Sequence, residues 1–161
     1  MEKSIYVHYG NDTFDPGQVR YAKFNKRNGG NGCYRKPGGL WASPVDAWIS
    51  WKEWCEGEDF HTDLLDSFFT FTLKDGAKVL DICKLEDIEG YIKVIDEGKY
   101  GTHYYLDLDK IYREFDAMEI HHEGHYNELH DSDIFYAWDV DSICVWNPDM
   151  VEVIRGRSNN V

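Results

Sequence analysis

Between Lys36 and Gly57 the chain reads KPGGLWASPVDAWISWKEWCEG, and no other segment constrains the fold as much. It holds four of the six tryptophans, Trp41, Trp48, Trp51 and Trp54. Two glycines, Gly38 and Gly39, lead into a short apolar run, Leu40 to Ser43, that reads as a strand. Ser43, Pro44 and Asp46 follow in the order of a helix start, with an acceptor at the N-cap, proline at N1 and an acid at N3. A helix is therefore predicted from Pro44 to about Glu56, stopped by Gly57. Within it Val45, Trp48, Ile49, Trp51 and Cys55 recur at three- and four-residue spacing, so Trp48 and Trp51 are expected to pack the helix onto a sheet. Trp41, on the strand, is expected to line a pocket instead. A strand that ends on a helix N-terminus presents backbone N–H groups suited to an anion.

The remaining chain is rich in short strands. Ile5 to Tyr9 alternates apolar and polar positions, with His8 near its end. Asn11 to Gly39 reads as a long loop with one helical turn. Phe68 to Leu73 and Ala77 to Cys83 flank Asp75-Gly76 and predict a hairpin. Leu85, Ile88, Tyr91, Ile92 and Ile95 mark an amphipathic helix, and Tyr104 to Phe115 a short one capped by Asp107 or Asp109. Asp116 to His121 is a strand, His122 to Asp133 a polar loop, and Ile134 to Val140 and Ser142 to Trp146 are strands or one bent strand. Asn147-Pro148-Asp149 is a turn, Met150 to Ile154 a last strand, and Arg155 to Val161 a frayed tail. Seven or eight hairpin-connected strands against three helices predict an α+β fold over a doubly wound sheet.

At 161 residues the chain suits one domain, 1–161. Its 42% hydrophobic and 16% aromatic content exclude a disordered chain. No apolar run approaches the roughly 18 residues of a membrane span, and MEKSIYVHYG lacks the plan of a signal peptide, so no membrane partner and a cytoplasmic location are expected. Cys33, Cys55, Cys83 and Cys144 form no CxxC pair and read as separate thiols. A net charge of −13 makes nucleic acid an unlikely partner. The segment Arg20 to Lys36 nevertheless holds six of the seventeen basic residues and none of the acids, which makes it the part best suited to an anion. No GxGxxG or P-loop motif is present.

Three groupings could carry chemistry. His121, His122, His125 and His130 crowd HHEGHYNELH, but the Glu-Gly context and the spacing do not make an HExxH site, so no metal is expected. Asp139 and Asp141, two apart on a predicted strand, would share a face, either as edge-strand charges or turn formers or as a catalytic or ribose-binding acid with a neighbour that perturbs its ionisation. His8, Ser43 and this acidic pair form the third grouping, which depends on their order along the chain.

That order resembles ADP-ribosyltransferase-like domains. Such domains have a first strand bearing His or Arg, a second with a small hydroxyl residue or aromatic leading into a helix, and a late strand bearing an acid. Here these are YVHYG with His8, GLWAS with Trp41 and Ser43, and DVDSICVWNPDMV with Asp139 and Asp141, preceded by EFDAMEI. The resemblance implies split antiparallel β-sheets around a cleft with about three flanking helices. It implies NAD as substrate, with His8 on a ribose, Trp41 or Tyr9 stacked on a ring, Ser43 on the nicotinamide side, and Arg35 or Lys36 at the pyrophosphate. Asp141 or Asp139 would stabilise the positive charge that develops as nicotinamide leaves. The family acid is normally Glu, so Glu119 is a further candidate.

The function expected on this basis is cleavage of the nicotinamide–ribose bond with transfer of ADP-ribose to a macromolecule, with a protein as the expected acceptor. Two rivals stay open: a non-catalytic binder or sensor of NAD or an ADP-ribose derivative, and an acidic interaction or inhibitor protein.

Overall fold

The computed structural model describes residues 3–24, 37–96, 102–132, 134–135 and 138–158. The strands are β1 (Tyr6–Tyr9), β2 (Thr13–Phe14), β3 (Leu40–Pro44), β4 (Phe68–Leu73), β5 (Val79–Ile82), β6 (Ile92–Asp96), β7 (Thr102–Leu106), β8 (Ala117–Ile120), β9 (Ser142–Val145), β10 (Val151–Arg155) and β11 (Arg157–Ser158). Four helices, α1 (Pro16–Phe24), α2 (Trp51–Glu58), α3 (Leu108–Glu114) and α4 (Tyr126–His130), complete the α+β architecture of the described residues.

Seven strands join in one sheet, ordered β10-β4-β1-β3-β9-β8-β5. Every neighbouring pair is antiparallel except β5 and β8. Side chains alternate across the sheet, so each face collects its own apolar set. One face gathers Leu80, Ile82, Met118, Ile120 and Cys144 beneath Ile88, Ile111, Leu129, Phe135, Trp138 and Trp146. The other gathers Tyr6, Phe69, Phe71, Ala42, Ala117, Ile143 and Val145 beneath Phe14 and Val19. Full burial of a residue such as Phe71 contributes about 2–3 kcal/mol. Gly39 is required where β3 meets β9, because a Cβ there would collide with the Val145 carbonyl.

Several local expectations give way to tertiary partners. The helix after β3 begins at Trp51, not Pro44, because Pro44 stays extended against β1 and the Trp48 amide, which would close the first turn onto the Pro44 carbonyl, is taken elsewhere. Val45 N donates to Ile5 O at 2.9 Å, and Trp48 N to Asp141 Oδ2 at 3.0 Å. Ser50 then serves as N-cap, accepting from Glu53 N, and Gly57 lies inside the helix. Trp48 and Trp51 are not core residues, being 51% and 36% exposed. The Asp75-Gly76 turn forms with Gly76 at φ +86°, but it is not a hairpin turn. Both edges of β4 are occupied, by β1 and β10, and β5 crosses to the far end of the sheet.

The predicted helix over 85–95 is a 3-10 turn, Leu85–Ile88, followed by β6. Gly90 at φ +88° ends the turn, and β-branched Ile92 and Val94 pair with β7. The polar loop over 122–133 contains α4, which buries Leu129. No strand forms at the described residues of 134–140. In the long N-terminal loop, Asp15 Oδ1 accepts from Gly17 N at 2.9 Å and starts α1. In the segment expected to be a frayed tail, Arg157–Ser158 forms β11, which runs parallel to β2.

Candidate functional site

The β1–β3 ladder is only two pairs long, Tyr6 with Pro44 and Val7 with Ser43. Beyond Val7 the His8 side chain replaces the ladder, its Nδ1–H donating to the Trp41 carbonyl at 2.6 Å. That bond selects the tautomer with the Nε2 lone pair available as an acceptor. Burial depresses the His8 pKa against the opposing pull of the carbonyl, so the ring is neutral.

Where the ladder stops, a pocket of about 400 Å³ opens. Its walls come from β1 (Val7, His8, Tyr9), β3 (Trp41, Ala42, Ser43), the start of α2 (Trp51) and the segment before β9 (Trp138, Asp139, Val140), with Ser142 from β9. Trp41 meets Trp138 edge to face, with ring centroids 4.8 Å apart at 64°. Ser43 Oγ accepts from Trp51 N at 3.2 Å, so this side chain does hold a helix start, from eight residues away. Asp139 lies at the rim with Oδ1 3.1 Å from His130 Nε2, and Tyr126 stacks on His130 at 5.2 Å and 11°.

Asp139 and Asp141 do not share a strand face, since neither lies on a strand. Asp141 is buried and does not line the pocket. It accepts from His122 N at 2.8 Å, His122 Nδ1 at 2.9 Å and Trp48 N at 3.0 Å, while its own amide donates to Ile49 O. Burial raises its pKa, but the bonds from His122 and Trp48 outweigh that and hold the carboxyl below the usual range. His122 Nε2 faces the Trp138 carbonyl at 2.9 Å, so the same clamp fixes the residue before Asp139.

Glu119 lies on the opposite face of the sheet from Trp41. Tyr6 OH donates to its Oε1 at 2.7 Å, and His121 Nε2 lies 3.3 Å from Oε2 and 3.7 Å from Asp81 Oδ1. Burial raises the Glu119 pKa, partly offset by the Tyr6 bond, and burial with the Glu119 charge raises that of Tyr6. The Asp81 bond raises the His121 pKa. Among the described residues Asp81, Glu119 and His121 are the group whose donors converge, within 4.8 Å, as metal ligands would. The histidines of HHEGHYNELH instead disperse. His121 faces Asp81 and Glu119, His122 faces Asp141, His125 faces Glu128 and His130 faces Asp139.

The structure thus brings His8, Tyr9, Trp41, Ser43 and Asp139 to one pocket and leaves Asp141 and Glu119 outside it. Arg35 and Lys36 lie outside the described residues, as does Cys33. Sequence reasoning missed Trp138, Val140, Ser142 and the His130 contact to Asp139. The signal was Trp138 beside Asp139, obscured by reading 134–140 as a strand. Comparison with known protein families, curated proteins and solved structures yields no significant match for this chain.

Proposed function

We propose that the pocket takes NAD and that the protein is an ADP-ribosyltransferase-like enzyme, which cleaves the nicotinamide–ribose bond. The observation that carries this reading is the convergence of His8, Trp41, Ser43 and Asp139 on one aromatic pocket from segments far apart in the chain. The volume, about 400 Å³, suits a ring with an attached sugar. Trp41 and Trp138 offer π faces to a pyridinium cation. His8 Nε2 can accept from a ribose hydroxyl. Asp139 is the acid of this reading, ahead of Asp141 and Glu119, because it alone of the three lines the pocket.

In the reaction the C1′–N bond breaks, its electron pair stays on the pyridine nitrogen and neutral nicotinamide leaves. The Asp139 carboxylate stabilises the positive charge left on the sugar. An acceptor nucleophile then bonds to C1′ and releases its proton to solvent. The experiment is incubation of the purified protein with NAD and measurement of nicotinamide release, repeated with Asp139→Ala. Absence of both NAD binding and nicotinamide release in the parent protein would sink the reading. The contact of Asp139 with His130 favours a second reading, binding without turnover, which would give a thermal shift with NAD and no product.

A further inference from the structure

A second surface adjoins the pocket and has a different chemistry. Trp51 lines the pocket and also stacks on Trp54, with centroids 5.2 Å apart and planes at 13°. Phe60 closes edge-on against both, at 6.2 Å and 5.5 Å, and is itself 41% exposed. Adjacent aromatic rings that stay partly exposed on a folded surface are a feature of contact sites. Its surroundings carry charge of one sign. Glu53, Glu56, Glu58, Asp59, Asp63 and Asp66 are all exposed, and Lys52, the only lysine or arginine from 51 to 66, is paired with Glu56 at 3.8 Å.

We infer that α2 and the turn after it form a docking surface for a basic polypeptide segment, whose arginine side chains lie on the Trp51–Trp54–Phe60 cluster within reach of these carboxylates. Charge complementarity selects this occupant. Acids beside aromatic faces attract a cation twice, through the ring quadrupole and through the carboxylates, and the planar guanidinium of arginine satisfies both. An apolar partner would gain nothing from the exposed carboxylates carried by the same helix and turn, and would lose free energy by desolvating any that it covered. An anionic one would be repelled. The surface stands whether or not the pocket takes NAD, and its test uses none.

The test is titration of the free protein with a short synthetic peptide alternating arginine and glycine, followed by tryptophan emission and by calorimetry. Glutamate and serine counterparts of equal length serve as controls. Saturable binding of the arginine peptide alone is expected. Trp54→Ala should weaken it by about tenfold, whereas Trp54→Phe, which keeps a ring, should retain most of it. Combined Glu53→Gln, Glu58→Gln, Asp59→Asn and Asp63→Asn should weaken it at least as much. The same number of changes elsewhere, Asp75→Asn, Glu86→Gln, Asp109→Asn and Glu152→Gln, should have little effect. Equal weakening by both sets would reduce the attraction to net charge and overturn the proposal. So would equal binding of the serine peptide, or self-association of the free protein that Trp54→Ala abolishes, which would assign the face to a second copy.

Discussion

Asp139 and Asp141 stand two residues apart in one motif and do opposite work. Asp141 is 3% exposed and takes three hydrogen bonds from His122 and Trp48, joining the α2 approach to the end of β8. Asp139 sits at a pocket rim with His130 beside it. One acid is committed to holding two loops together, the other is placed where a ligand can meet it. The same residue type in the same few residues becomes either a tie or a candidate reactive group, according to which backbone donors reach it.

The contrast can be broken most sharply by Asp141→Ala. Removing a buried charge leaves the His122 and Trp48 donors without their acceptor, and the expected loss is about 3–5 kcal/mol in urea denaturation. A loss under about 1 kcal/mol would show that the clamp is not structural. Next, Asp139→Asn should leave stability within about 1 kcal/mol of the parent. It should also lower nicotinamide release about 100-fold if Asp139 stabilises the departing charge. Equal destabilisation by the two changes would erase the distinction. Trp41→Ala should weaken NAD binding about tenfold in calorimetry through loss of one ring face of the pocket.

The smallest effect is expected at Glu119, on the other face. Its folded pKa is raised, so over the range between its unfolded and folded values the folded state holds more protons, and stability falls as pH rises. Asp141 has the reverse sign. Its folded pKa is lowered, and its contribution is present above the unfolded value and lost as pH falls through the folded one. Glu119→Gln should therefore flatten the decline on the higher-pH side and stay within about 1 kcal/mol of the parent at neutral pH. Asp141→Asn should remove the acid-side loss. Denaturation midpoints collected across pH for both variants check the two signs.

Legibility in the sequence followed the range of the interactions that decide each element. Strands with alternating or β-branched residues, such as Tyr6–Tyr9, Leu40–Pro44, Ala117–Ile120 and Ser142–Val145, form where their pattern places them. So does α3, whose cap Asp107 accepts from Lys110 N within its own first turn. The start of α2 was not legible, because Ser43-Pro44 has a helix-start pattern that Ile5 and Asp141, distant in sequence, override. The same holds for Asp75-Gly76, where the turn is local and the strand partners are not.

For the site, the sequence by itself determined which chemical groups were at hand: a histidine at the end of the first strand, a tryptophan and a serine on another, and an acidic pair near the third. It also determined that the strand-to-helix segment would be rich in aromatics. Only the tertiary structure decided which acid faces the pocket and which is consumed by the fold, and that Trp51 and Trp54 lie outside the core. The physical reason is that a carboxylate's role depends on the donors around it. For Asp141 these come from residues 19 and 93 positions away, a separation that no local pattern of side chains encodes.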